Sequence, residues 1–203
     1  LFLMFMGPWD QGGPWSPTGI GGVHRFLNRV WTLVLDPHGR EPGDPDAGGL
    51  PAGESEAEAI TAIRAAAHRC LRDVTADYEA FRFNTMIAKL MELANALFRY
   101  RGTPVAGEPA WDEAIRLLLL MLAPAAPHIT EELWSRRLTA AGTTWSSIHT
   151  ESWPIVDEAA ILASLDAGHG IMIVANHCRP CDPMVLDFLA AEVRRPFHVI
   201  ASW

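Results

Sequence analysis

The spacing best suited to chemistry is Asn176-His177 followed by four residues and then Asp182. A histidine titrates near pH 6.5, so it can take the proton of a hydroxyl group as a general base. A carboxylate one turn on can hold the second ring nitrogen, fix the tautomer and stabilise the imidazolium. Cys178 and Cys181 lie between the two. Thiols spaced this way at the start of a helix suit redox exchange, because a helix N-terminus lowers a thiol pKa. Asp182 works the other way, since a nearby negative charge raises it. His177, Cys178 and Cys181 also make half of a zinc site, but no second Cys/His pair follows.

The elements around this group have a βαβ-like pattern. Ile171 to Ala175 is an apolar strand, Pro183 to Val193 a helix, and Phe197 to Ala201 a second strand. A lone parallel pair leaves both edges open and buries too little to be stable. A short helix is expected over Asp157 to Leu165, and Gly168-His169-Gly170 forms a turn.

The rest of the chain is different in kind. With 203 residues it can form one large domain or two small ones. It carries 16 basic against 24 acidic residues, a net charge of −8. That argues against a general phosphate-tracking surface, which needs clustered Lys and Arg, though not against a local basic patch. Three cysteines do not make a disulfide framework, so no disulfide partner and a reducing cytosol are expected. Leu1 to Met6 is apolar, but it lacks a basic flank and Gly7-Pro8 interrupts it, so it does not read as a signal peptide. No run of roughly 18 apolar residues is present, which argues against a spanning helix.

Helical stripes dominate up to residue 145. Residues 7–22 are loop-like. Val23 to Leu35 carries apolar residues at Val23, Phe26, Leu27, Val30, Trp31 and Val34. Residues 36–53 are rich in Gly, Pro and Asp and predict a mobile surface loop. Ser55-Glu56-Ala57-Glu58 is a capping box that opens a long helix through Ile63, Ala67, Leu71 and Val74. Asn84 is expected to cap a third helix, Trp111 to Leu122 forms a fourth, and Pro127 starts a fifth. Trp31, Phe83 and Trp134 are expected in the core.

Several blocks carry a resemblance. They are Leu1-Phe2-Leu3-Met4-Phe5-Met6-Gly7-Pro8-Trp9, His24-Arg25-Phe26-Leu27-Asn28-Arg29-Val30-Trp31, Phe81-Arg82-Phe83-Asn84-Thr85, Ala123 to Trp134, and Trp153-Pro154. In this order they resemble leucyl-tRNA synthetase, a class I family, over residues 1–159. The resemblance implies a mainly α fold: a helical bundle of the anticodon-binding type that faces tRNA-Leu and supports a catalytic domain. The family's ATP-binding His-x-Gly-His block and Lys-Met-Ser-Lys-Ser loop are missing. With a start at Leu1, that leads us to expect a fragment inactive alone, whose parent joins leucine to tRNA using ATP and Mg. No cofactor is expected in this chain itself. The resemblance also implies that Arg25, Arg29, Arg136 and Arg137 meet tRNA phosphates, with Arg82 and Lys89 as weaker candidates. Solvated charges or ion pairs are the alternative for all of them.

Residues 160–203 resemble the opening of the glycerolipid acyltransferases. The residues that carry this are Asn176-His177 to Asp182, the apolar flanks, and Arg195-Pro196-Phe197-His198-Val199-Ile200-Ala201-Ser202. That resemblance implies His177 and Asp182 as catalytic residues, a hydroxyl attacking the thioester of acyl-CoA or acyl carrier protein, and a lipid substrate at a membrane. The family's later substrate-binding motifs would lie beyond Trp203, and Cys178 and Cys181 depart from its pattern. Those cysteines keep open a thioredoxin-like redox site, although Asn176-His177 replaces the expected aromatic and Asp182 the expected lysine-like residue. The expectation is thus two parts. The first is a helical tRNA-binding domain, residues 1–159, with a flexible loop at 36–53. The second is a truncated α/β segment, residues 160–203. The whole would be cytoplasmic, or peripheral at a membrane if the acyltransferase part is complete.

Overall fold

The computed structural model describes residues 1–12, 15, 19–39 and 49–166. The chain divides into two units, Leu1–His169 and Gly170–Trp203. The second unit lies outside the described residues, and with it the expected βαβ segment. Every regular element among the described residues is helical. They are α1 (Phe2–Phe5), α2 (Ile20–Leu35), α3 (Glu56–Glu79), α4 (Phe83–Phe98), α5 (Pro109–Leu122), α6 (Pro127–Ala140) and α7 (Glu158–Asp166). Two 3-10 turns, Pro104–Gly107 and Ile148–Thr150, lie in the connections before α5 and after α6.

The longest helix forms for reasons visible in its own residues. Ser55 Oγ accepts from the Glu58 backbone N–H at 3.3 Å, while Glu58 Oε2 accepts from the Ser55 N–H at 2.8 Å. Two orphan donors are satisfied reciprocally, and the first-turn acids Glu56 and Glu58 suit the positive end of the helix dipole. Its stripe of Ala59, Ile63, Ala67, Cys70, Leu71 and Val74 is buried.

The end of α3 is less legible. Phe81 has φ of +55°, in the left-handed region where glycine is usual. The Phe81 N–H donates to Tyr78 O at 3.2 Å, and the Arg82 N–H to Asp77 O at 2.8 Å. This is a Schellman closure built on phenylalanine, at a conformational cost of about 1–2 kcal/mol. Helix α4 then begins at Phe83 with Arg82 as its N-cap, so Asn84 is not the cap.

Helix α5 is apolar nearly all round. Leu118, Leu119, Met121 and Leu122 are fully buried, as a helix enclosed by others requires. It packs against α3, α4 and α6. Helix α3 in turn packs against α4, α5 and α7, and α2 lies on α4 and α6. Proline at the first position opens both α5 and α6, where its missing N–H leaves nothing unsatisfied. Trp134 is buried in the core, and Trp31 and Phe83 are half-buried and pack against it, with Arg136 over the Trp31 ring and aromatic rings beside Phe83.

The segment after α6 is strapped along α3. Trp153 Nε1 donates to Thr75 Oγ1 at 2.9 Å, and the Asp157 N–H donates to His68 Nδ1 at 3.1 Å. Arg64 holds Asp157 Oδ2 at 3.1 Å. Residues 40–48 of the expected loop over 36–53 lie outside the described residues, and the segment is anchored at Asp36 and just beyond it at Glu54. Arg101 Nη2 meets Asp36 Oδ2 at 2.7 Å, and the Tyr100 hydroxyl donates to Glu54 Oε1 at 2.6 Å.

Candidate nucleic-acid interface

Four arginines are expected from the sequence to face nucleic acid, and the fold treats them differently. Arg29, on the exposed side of α2, donates to Asn95 Oδ1 of α4 and lies 5.4 Å from the Phe98 ring centre. Arg136, on α6, is 2.7 Å from Glu132 one turn earlier and 5.0 Å from the Trp31 ring of α2. Arg137 donates to the Asp112 carboxylate at the start of α5 and covers the Trp134 ring at 5.8 Å. Each of these three therefore ties one helix to another. Planar guanidinium groups suit this work because they bind carboxylate edge-on and stack on aromatic faces.

Arg25 is the exception. It is exposed on α2 and makes no hydrogen bond or ion pair among the described residues. Its neighbours on that face are polar: His24 and Asn28 are exposed, with Asn28 Nδ2 and His24 Nδ1 3.4 Å apart. The stripe that buries Val23, Phe26, Val30 and Leu33 turns Arg25 to solvent.

The two weaker candidates are engaged by a buried acid. Asp77 is 1% exposed. Arg82 Nε lies 2.8 Å from its Oδ1, and Lys89 Nζ lies 2.8 Å from its Oδ2. The first contact is a hydrogen bond; the second is an ion pair without hydrogen-bond angles. Burial raises the Asp77 pKa, but the contacts from Lys89, Arg82 and Thr85 outweigh it and hold the carboxyl below its usual range. Arg82 and Lys89 thus compensate a buried charge, the arrangement such a charge requires.

A second polar group is not legible in the sequence. His68 is buried on α3, with Nε2 3.2 Å from Glu113 Oε1 on α5. Arg64 Nε bonds Glu113 Oε2 at 2.7 Å. The hydrogen bond from Arg64 holds the Glu113 carboxyl down, against burial and with help from His68. Since His68 Nδ1 accepts the Asp157 amide, its Nε2 carries the proton toward Glu113. The group resembles a catalytic relay in its residue types, but Arg64 closes it, and the other nitrogen of His68 meets backbone. It locks the strap to α3 and α5. The spacing of Arg64 and His68 within α3 signals none of this, because Glu113 and Asp157 come from distant segments.

His177, Asp182, Cys178 and Cys181 lie outside the described residues. Among the described residues, no group of three or more His, Cys, Asp or Glu side chains could hold a metal ion. No helix among them is long and apolar enough to cross a membrane.

Comparison with known proteins fits the helical fold. The family described as "Anticodon-binding domain of tRNA ligase" matches residues 61–178. The leucine–tRNA ligase of Deinococcus radiodurans is 42% identical over 159 residues, 78% of this chain and 17% of that protein. That of Rubrobacter xylanophilus is 45% identical over 161 residues, 79% of this chain and again 17% of the relative. The chain thus spans about a sixth of the length of such relatives. Among solved structures, the ternary complex of the Agrobacterium radiobacter K84 agnB2 LeuRS with tRNA and LeuAMS aligns with a TM-score of 0.60 and 25% identity. The alignment covers 95% of this chain and 24% of that one. With the family matched over more than half its residues, the chain belongs to the anticodon-binding domains of the tRNA ligases, and the relatives it matches are leucine–tRNA ligases.

Proposed function

We propose that this chain serves as the tRNA-facing helical domain of a leucyl-tRNA synthetase, with Arg25 as its principal phosphate contact. The observation that carries the reading is the contrast within the expected set. Arg29, Arg136 and Arg137 are engaged by protein groups, whereas Arg25 is exposed and unpaired among the described residues. The domain does no chemistry in this reading. It positions tRNA-Leu for a catalytic domain that binds ATP and Mg and joins leucine to the tRNA. The related LeuRS structure contains tRNA, which supports the choice of partner.

The test is titration of the chain with tRNA-Leu and a non-cognate tRNA across a salt series. Arg25→Ala should weaken binding and lower the salt slope by about one, the signature of one lost phosphate contact. An unchanged slope would return Arg25 to the role of a solvated surface charge.

The finer division, with residues 160–203 as the start of an acyltransferase using His177 and Asp182, rests on the sequence resemblance alone: the motif, its apolar flanks and Arg195 to Ser202. Its test is acyl transfer from acyl-CoA by the full protein. His177→Ala should abolish the activity, and retained activity would remove the assignment.

A further inference from the structure

Arg69 is a second cation without a hydrogen-bond or ion-pair partner among the described residues. It is half-buried on α3. It lines a cleft of about 400 Å³ with Glu54, Glu58, Ala62, Arg99, Tyr100 and the 51–53 turn. Glu58, Ala62 and Arg69 share one face of α3, because residues four and seven apart stack along a helix. The volume lies in the range of small-molecule sites.

The cleft holds two carboxylates and two guanidinium groups, but both carboxylates are already engaged by other groups. Glu58 is directed at the helix start, accepting the Ser55 N–H at 2.8 Å and its hydroxyl at 2.6 Å. Glu54 accepts the Tyr100 hydroxyl at 2.6 Å, and Arg99 Nη2 is 3.8 Å from its other oxygen. Burial, and the hydrogen bond to Glu54 after it, push the Tyr100 hydroxyl up to about 12, so it remains a donor. On Arg69's own helix, Arg72 repels it and Asp73 attracts it. Burial, the larger influence, lowers its pKa, as expected of a guanidinium partly removed from water with no counter-charge in contact. Such a group favours an anion, and its fork of donors matches phosphate oxygens.

We propose that this cleft binds a phosphate group, held by Arg69 with Arg99 beside it. Glu54 and Glu58 at its rim disfavour further negative charge, so the site takes a single phosphate rather than a polyphosphate chain. The inference is independent of the reading of Arg25.

The test uses the full chain and calorimetric titration with inorganic phosphate at constant ionic strength, with acetate as the control anion. The wild type should bind phosphate saturably and more tightly than acetate. Arg69→Gln should weaken phosphate binding by about tenfold or more without lowering the thermal midpoint, because the arginine has no hydrogen-bond or ion-pair partner among the described residues to lose. Arg69→Lys, which keeps the charge but loses the fork, should fall between the two. Unchanged phosphate binding in Arg69→Gln, or no saturable binding by the wild type, overturns the proposal. Parallel titration with tRNA identifies the source. Loss of both phosphate and tRNA binding in Arg69→Gln assigns the site to a nucleic-acid backbone. Loss of phosphate binding alone assigns it to a free phosphorylated molecule. A failed Arg25 test leaves both outcomes readable.

Discussion

The junction of α3 and α4 and the exposed face of α2 use the same kind of side chain in opposite ways. At the junction, Arg82 and Lys89 converge on Asp77, a carboxylate almost wholly removed from water. On α2, Arg25 projects from a helix whose buried stripe lies on the other side. A cation is committed to the fold when a buried acid needs it, and stays available to a partner when none does. Net charge does not reveal this division: the chain is acidic overall, yet Arg25 on α2 remains uncommitted among the described residues.

The largest effect that would break this contrast is expected at the junction. Lys89→Met should destabilise the fold by about 3 kcal/mol, as loss of one partner of a buried ion pair does. Chemical denaturation checks it. A change below about 0.5 kcal/mol would mean that Arg82 alone compensates Asp77.

Acidification should weaken the same region next. Asp77 and Glu113 have folded pKa values below their ordinary ones. A lowered folded pKa means the unfolded chain binds protons more readily, so stability rises with pH through this range. The contribution is complete above the ordinary carboxylate pKa of about 4 and is lost as pH falls through the lower folded values. A pH series of denaturation curves should therefore show falling stability below about pH 4.5. Glu113→Gln should make that fall shallower. An identical fall in the variant would remove Glu113 from the account.

The smallest stability effects should come from the α2 pair, and their ranking sharpens the comparison. Arg29→Ala should cost about 1 kcal/mol, because it loses Asn95 and the face of Phe98. Arg25→Ala should fall within about 0.5 kcal/mol of wild type, as expected of an exposed residue with no hydrogen bond or ion pair among the described residues. Reversal of that order would contradict the assignment of the two arginines.

Much of the scaffold is legible in the sequence because the signals are local. The capping box at Ser55 and Glu58, Pro127 at a helix start, and the stripes of α2 and α3 each act within a few residues. The stop of α3 is not legible, because a phenylalanine stands where glycine normally marks the left-handed turn. Asn84 reads as a cap for the same reason: the true boundary is hidden two residues earlier. The arginine roles are out of reach for a different reason. Asn95 lies 66 residues from Arg29 and Asp112 lies 25 from Arg137, so only packing of the helices decides those pairs. The lock of His68, Glu113 and Asp157 is equally non-local.

The most direct test of the account is the salt dependence of tRNA-Leu binding by wild type, Arg25→Ala and Arg29→Ala, measured side by side. The account predicts cognate, salt-sensitive binding. Its slope should fall by about one in Arg25→Ala and stay unchanged in Arg29→Ala. Equal slopes in wild type and Arg25→Ala, or loss of slope in Arg29→Ala alone, would contradict it.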